Sequence, residues 1–370
     1  MSPKALLALP SIEAAGSLLG QDKIRLVGGC VRDSLAGLPI KDLDLCTPLK
    51  PEEIMVLAAE HPDFSAHPTG LPHGTITLVH EPRRQPLEVT TLRIDEVTDG
   101  RHAEVSFTTD WAADAARRDL TFNALMLDFE GQVHDYFGGQ EDLAAGQVCF
   151  IGDPLTRLSE DWLRALRYFR FWGRFGQVAP AQDQEAALRA AVPHIHQLSV
   201  ERIWSELKGL VQAPKAKAAL SLFRDYGFAE ALNLTLNLDR QLDPEDPVAA
   251  WAGILPEFEH DFMPRMRASR AEHSHFEAVQ NVLTSPESRF AQQVRYGRLA
   301  TLAAARLEGA ADDFDPPPPF PIQARDLLDR GFSPGPNLGR ALAGLKETWI
   351  KSEGQLTAEA LLADLTKSTT

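Results

Sequence analysis

Apolar residues follow two textures along this chain of 370 residues. In the first third they come in short runs. Gly74–His80 and Leu87–Leu92 alternate and are rich in Thr, Val and Ile, which predicts strands. Further strands are predicted at Ile24–Val27 and at Asp42–Leu45, the latter within Ile40-Lys41-Asp42-Leu43-Asp44-Leu45. Helices are predicted from residue 1 to about Gly20, from Val31 to about Ala36 and from Pro51 to Glu60. From Asp114 onward Leu, Ala, Phe and Arg at helical spacing dominate to the C-terminus. Asp312-Asp313-Phe314-Asp315 followed by Pro316–Pro319 cannot continue a helix and reads as a linker before a last helical segment. No internal repeat or extended low-complexity segment interrupts this order. The expected class is α+β, a small mixed-sheet head followed by an all-helical remainder.

Composition narrows the setting. With 44% hydrophobic residues the chain has ample apolar surface for two or more packed modules. No stretch of about 18 consecutive apolar residues occurs, so a membrane span is not expected. Met1-Ser2-Pro3-Lys4 lacks the apolar run of a signal peptide. Cys30, Cys46 and Cys149 form neither a disulfide framework nor a zinc pattern, which fits a reducing, cytoplasmic setting. A net charge of −15 argues against indiscriminate nucleic-acid binding but leaves room for a local basic groove.

The first candidate chemistry is the pair Asp42 and Asp44. On a strand, residues two apart share a face, so both carboxylates project together while Leu43 and Leu45 enter the core. Close carboxylates repel and are usually kept for a cation between them. A hard ion such as Mg²⁺ takes carboxylate oxygens together with substrate phosphates. Upstream, Leu26-Val27-Gly28-Gly29-Cys30-Val31-Arg32-Asp33 is a strand, a Gly-Gly turn and a helix start, a place where a phosphate can approach backbone N–H groups. Together these parts describe a nucleotidyl-transfer site. Glu88 is a third strand carboxylate, either a ligand or orienting group beside the pair or a solvated strand face.

Two further segments carry charge in a pattern. Arg117-Arg118-Asp119-Leu120-Thr121-Phe122-Asn123 either clamps a triphosphate or ribose through the planar guanidinium forks, or is a capped helix with a basic first turn. In Glu160-Asp161-Trp162-Leu163-Arg164-Ala165-Leu166-Arg167-Tyr168-Phe169-Arg170, helical spacing aligns Asp161, Arg164, Arg167 and Arg170 in a polar row beside Leu163, Leu166 and Phe169. A charged row is commonly a solvated face. Flanked by an apolar row that needs a partner, it is expected to line a cleft. A carboxylate accepting from an amino group and a guanidinium donating to a ring nitrogen match cytosine and adenine and reject uracil and guanine.

These motifs resemble the class II tRNA nucleotidyltransferase family, which includes CCA-adding enzymes and bacterial poly(A) polymerases. The resemblance rests on Gly28-Gly29-Cys30-Val31-Arg32-Asp33 with Asp42-x-Asp44, Arg117-Arg118-Asp119, Glu160-Asp161-x-x-Arg164 and Glu201-Arg202-Ile203-Trp204-Ser205-Glu206-Leu207, in family order over roughly residues 24–210. It implies Mg²⁺ on Asp42 and Asp44, to which Glu88 is added as a catalytic candidate from its place in a neighbouring strand. It implies nucleotide held by Gly28, Gly29, Arg32, Arg117, Arg118, Asp119 and Asn123, and the base read by Asp161 and Arg164 with support from Arg167 and Arg170. The implied layout is a head over residues 1–136, a neck over 137–212, a body over 213–315 and a tail over 316–370. The implied substrates are CTP, ATP and the tRNA 3′ end, without an obligatory protein partner. Glu96-Val97-Thr98-Asp99-Gly100-Arg101-His102 resembles the element that helps such enzymes switch from C to A, which favours full CCA addition. Poly(A) or partial CC- or A-addition is the near alternative, and a catalytically inactive tRNA-binding protein the distant one. Asp326–Gly331 and Pro334-Gly335-Pro336 to Gly339-Arg340 resemble the tail of bacterial members. His260-Asp261 spells the dipeptide of metal phosphohydrolases without a set of further ligands and reads as a surface dipeptide.

Overall fold

The computed structural model describes residues 1–98, 103–256 and 261–365. The Glu96–His102 element and the His260-Asp261 dipeptide each include residues outside that set. The chain divides into two units, residues 1–233 and 234–370.

Unit 1 begins with α1 (Pro3–Leu7) and α2 (Pro10–Leu19) rather than one long helix. Pro10 has no N–H to donate and takes the first position of α2, so the chain restarts there, and Gly20 at φ 91° ends it. There follow β1 (Arg25–Val27), α3 (Gly29–Leu35), β2 (Asp44–Thr47), α4 (Pro51–Ala59), β3 (Phe64–Gly70), β4 (Thr75–His80) and β5 (Gln85–Thr91). Next come the hairpin β6 (Arg93–Thr98) and β7 (Ala103–Phe107), then α5 (Trp111–Ala116), β8 (Met126–Leu127) and β9 (Val133–His134). Seven strands form one sheet in the order β3-β4-β5-β2-β1-β8-β9, while β6 and β7 pair separately. The β2–β5 pairing is parallel, with Asp44 opposite Glu88, and β1 runs antiparallel to both β2 and β8. Strand texture thus extends past Asp114, because β8 and β9 complete the sheet edge. At two residues each they are too short to carry a period.

The predicted aspartate strand starts two residues late. Pairing of β2 begins at Asp44, and β1 ends at Val27 because Gly28 turns away, so Asp42 has no ladder partner and lies in the preceding loop. The alternation still holds: Leu43 and Leu45 are buried and Asp42 is exposed. Under the sheet Val27, Cys46, Leu92, Ala124, Met126 and Ile151 pack together.

Helices follow: α6 (Gly139–Ala145), α7 (Pro154–Glu160), α8 (Leu163–Phe175), α9 (Gln182–Ala191), α10 (Val200–Val211), α11 (Ala216–Asp225) and α12 (Phe228–Ala231). Leu163, Leu166 and Phe169 of α8 are buried, as their row required. Phe169 meets Phe223, Tyr226 and Phe228 edge-on, with ring centroids 5.3, 6.0 and 4.9 Å away. This aromatic packing fixes α8 and turns its arginine face the other way.

Unit 2 is helical: α13 (Pro247–Ile254), α14 (Phe262–Arg265), α15 (Arg270–Thr284), α16 (Arg289–Tyr296), α17 (Arg298–Leu307), α18 (Ala324–Leu328), α19 (Pro336–Lys351) and α20 (Ala358–Leu365). Residues 310–320 carry no regular secondary structure, as the proline run dictates, but are tied down by Arg306 Nε donating to Asp312 at 2.6 Å. A separate core gathers Ile322, Leu327, Leu345, Trp349, Ile350 and Leu361. Among the described residues no helix is long and apolar enough to cross a membrane, and all three cysteines are free.

Candidate active site

A cavity of about 650 Å³ in unit 1 gathers residues from five stretches of sequence. Gly28, Gly29, Arg32, Asp42, Asp44, Arg117, Arg118, Asp119, Asn123, Asp161, Arg164, Arg167 and Arg170 all line it. Glu88 is outside this lining. It stands beside Asp44 across the β2–β5 pairing, with its side chain exposed.

The turn between β1 and α3 builds the first wall. Gly28 has φ 69° and ψ −122°, and its N–H donates to Leu125 O at 3.0 Å. A Cβ there would lie 3.4 Å from Arg118 Nη1 and 3.5 Å from Asn123 O, ordinary contact distances, so it is the left-handed backbone rather than lack of space that favours glycine. The first N–H groups of α3 have no intrahelical acceptor and face the turn. Arg32 is only 5% exposed. It donates from Nε to Asp33 Oδ1 at 2.8 Å and from Nη1 to Asn123 Oδ1 at 2.5 Å. Its guanidinium lies 4.9 and 4.8 Å from the ring centroids of Phe171 and Phe175 on α8.

From Arg32 the network runs on without a gap. Asn123 Nδ2 donates to Asp119 Oδ1 at 3.0 Å, and Arg167 Nε donates to Asp119 Oδ2 at 2.6 Å. Burial would raise the Asp119 carboxyl. The Arg167 charge and the bonds from Arg167, Asn123 and the Leu120 N–H outweigh it and hold Asp119 well below the usual carboxylate range. Arg170 Nε donates to Glu206 Oε2 at 2.6 Å, and Arg174 Nη2 to Asp33 Oδ2 at 2.9 Å. Behind the cavity, Asp114 accepts from Arg117 Nε at 2.9 Å and Arg118 Nη2 at 3.1 Å, while Arg118 Nε is buried without a partner.

Asp161 corrects the expected helical row. It is not part of α8 but the extended residue (φ −157°) between α7 and α8, where its Oδ1 accepts the Leu163 N–H at 3.1 Å. This is a turn bond to the residue two ahead, and Trp162 takes the N-cap position of α8. Asp161 Oδ2 accepts from Arg202 Nη2 at 2.6 Å. Arg164 donates to Arg157 O at 2.9 Å, to Arg117 O at 3.0 Å and to Glu160. Trp162, between the two, stacks on His194 at 4.0 Å and 6°.

The electrostatics divide the cavity. Nine cationic side chains line it against five carboxylates, a basic interior in an acidic chain. At the loop before β2 the sign reverses: burial and the nearby Glu88 and Asp42 carboxylates raise the Asp44 carboxyl to about 6, with Arg118 opposing. This is the donor set that a hard divalent cation fits, since the ion would remove the repulsion. Among the described residues no three His, Cys, Asp or Glu side chains form a metal cluster. Cys30, beside Asp44, is pushed up to about 11 by burial and is not a nucleophile.

Sequence reasoning passed over several lining residues. Lys41, Asp33, Leu163, Phe171, Arg174 and Arg202 line the cavity too. Arg174 extends the row by four residues from Arg170, so the spacing contained it. Arg202 stood in the Glu201–Leu207 motif that helped carry the resemblance, but its place against Asp161 depends on the tertiary approach of α10.

Residues 24–149 match the family described as the poly A polymerase head domain, and residues 179–237 the one described as a probable RNA and SrmB-binding site of polymerase A. The mitochondrial CCA tRNA nucleotidyltransferase 1 of Danio rerio is 32% identical over 389 residues, covering 94% of this chain and 88% of the relative. The CCA-adding enzyme of Geobacillus sp. (strain WCH70) is 38% identical over 218 residues, 58% of this chain and 52% of the relative. The crystal structure of the Bacillus stearothermophilus CCA-adding enzyme in complex with CTP shares the fold, with a TM-score of 0.80, 24% identity and 98% of each chain covered.

Proposed function

Since this chain belongs to the class II CCA-adding tRNA nucleotidyltransferases, we propose that the cavity of unit 1 is where it adds C, C and A to the 3′ end of tRNA from CTP and ATP, without a nucleic-acid template and with release of pyrophosphate. The observation that carries this reading is one cavity lined by the Gly28-Gly29 turn, the Asp42 and Asp44 carboxylates and the arginine face of α8.

Asp42 and Asp44 would hold Mg²⁺, which when bound polarises the primer 3′-hydroxyl and neutralises the charge of the triphosphate and departing pyrophosphate. Gly28 and Gly29 leave room for phosphate oxygens. Arg32, Arg117 and Arg118 face them with charge. Asp119 and Asn123 act through their neighbours, holding Arg32 and Arg167 in place. Asp161 and Arg164 select the base. Arg202 aims Asp161, and Glu206 aims Arg170. Glu88 acts from beside Asp44 by keeping negative charge concentrated there. The chain carries this out as head 1–136, neck 137–212, body 213–315 and tail 316–370. Its free cysteines suit a reducing compartment such as the cytoplasm.

The test is incorporation into a tRNA transcript ending at its discriminator base, with Mg²⁺ and CTP, ATP or both, resolved to single nucleotides. Two additions from CTP alone and three only with both nucleotides are expected. A long ladder from ATP alone would assign poly(A) synthesis instead, two additions under every condition with CTP would assign CC addition, and none would leave a binding protein.

A further inference from the structure

Asp161 and Trp162 are the whole link between α7 and α8. Asp161 is extended while Trp162 already has helical angles, φ −60° and ψ −16°, so the chain changes conformation within one peptide. Where the Asp161 carboxylate points depends on how firmly that change is held. Its ion pair with Arg202 is open to water, with the side chains 30% and 42% exposed, and such a pair is a weak tether. Trp162 makes no side-chain capping bond. It is also outside the cavity wall, although Asp161 and Leu163 on either side of it are part of that wall.

The indole goes to His194 instead. Val192–Gln197 form a 3₁₀ turn ahead of α10, and there the imidazole lies flat on the Trp162 ring, with centroids 4.0 Å apart and planes 6° from parallel. Gln197 Nε2 donates to His194 Nδ1 at 3.1 Å and fixes the rotation of the imidazole. Next to it Ile195 is fully buried, and its carbonyl accepts the Leu198 N–H at 3.1 Å, so the turn itself is anchored. One continuous stretch therefore grips the link twice. His194 holds it through the indole, and Arg202 through the carboxylate. His194 is outside the cavity lining, so its influence on a bound base has to pass through the link.

We propose that His194 is a positioning residue for base selection: stacked on Trp162, it sets where Asp161 presents its carboxylate to the amino group of cytosine or adenine. The proposal rests on the base-selecting role given above to Asp161 and Arg164, and carries that role one layer of side chains further from the nucleotide.

The test measures single-nucleotide incorporation by the full chain, CTP against UTP on a tRNA transcript lacking CCA and ATP against GTP on one ending in CC. His194→Ala is expected to lower both ratios about twofold to tenfold, the range that one aromatic stack can supply. His194→Phe, which keeps a ring on the indole, should restore them. In an Asp161→Ala background His194→Ala should lower them no further, because the two act in series. A thermal melt checks folding, and if His194→Ala does not fold, Gln197→Leu, at an exposed position, takes its place with the same expectation. Ratios unmoved in folded variants would overturn the proposal, whether incorporation is unchanged or slowed for all four nucleotides alike, since the stack would then be merely structural. So would a further drop in the Asp161→Ala background, since His194 would then act elsewhere. If Asp161→Ala itself keeps the parent ratios, it is the base-selecting role that fails, and the proposal with it.

Discussion

Asp44→Asn should make the metal-free protein more stable while it abolishes transfer. Asp44 is partly buried beside Glu88 and Asp42, and its carboxyl is raised from 3.8 to about 6. A carboxyl with a folded-state pKa above its unfolded value binds its proton more tightly when folded, so its ionisation opposes folding. The penalty is absent below about pH 4, grows between pH 4 and 6, and is complete above that window. A rise of roughly two units corresponds to about 3 kcal/mol, an upper bound because the site opens into a solvent-filled cavity. Asparagine keeps the shape and removes the charge. In chelator at pH 8, denaturant unfolding of Asp44→Asn should show a gain of about 1–3 kcal/mol, shrinking towards zero at pH 4. Added Mg²⁺ should narrow the difference by stabilising the parent. Incorporation should fall at least about a hundredfold, the loss of several kcal/mol of transition-state charge stabilisation. A variant no more stable than the parent at pH 8, or a gain that persists unchanged at pH 4, would refute the idea that burial and its carboxylate neighbours make the Asp44 charge oppose folding.

Asp161→Ala should lower discrimination against UTP and GTP by about tenfold to a hundredfold, read by competitive single-nucleotide incorporation. It should also cost about 1 kcal/mol through the lost bond to the Leu163 N–H, a cost that Asp161→Asn should largely avoid. Asp119→Ala strands Arg167 and should cost about 3 kcal/mol or more in a urea titration at pH 7. Because Asp119 is held below the usual carboxylate range, its contribution is present above about pH 4 and disappears as pH falls through the depressed folded value. Gly28→Ala places a Cβ at φ 69° and should cost about 1–2 kcal/mol of backbone strain. Its KM should rise for CTP and ATP alike, with the C-to-A preference unmoved, in steady-state kinetics.

Much of the site was legible because it is written in local patterns. The Gly28-Gly29 turn follows a strand and opens a helix, Leu43 and Leu45 alternate with the aspartates, and the apolar row of α8 announced a buried helix with an arginine face. What was illegible depends on tertiary approach. The separate pairing of β6 with β7, the short edge strands β8 and β9, and the place of Arg202 against Asp161 leave no period behind. Two misplacements have one cause. Asp42 and Asp161 were read as members of a strand and a helix, yet each lies just before its element, where a side chain can leave the ladder or bond to the first turn. Whether Glu88 is ligand or bystander was open in the sequence, and the parallel register makes it a neighbour of Asp44 rather than part of the cavity wall.

The clasp of Arg32 between Asp33, Asn123 and the rings of Phe171 and Phe175 bears on how descendants of such an enzyme are recognised. Arg32, Asp119 and Arg167 bear structural load as well as facing the cavity, so a lineage released from catalysis would still be held to them by folding. Asp42 is exposed and Asp44 opposes stability, so nothing but chemistry retains that pair. A retired homologue would keep the glycine turn and the arginines long after losing its aspartates. The two carboxylates, rather than the longer motifs around them, distinguish a working enzyme from its relics.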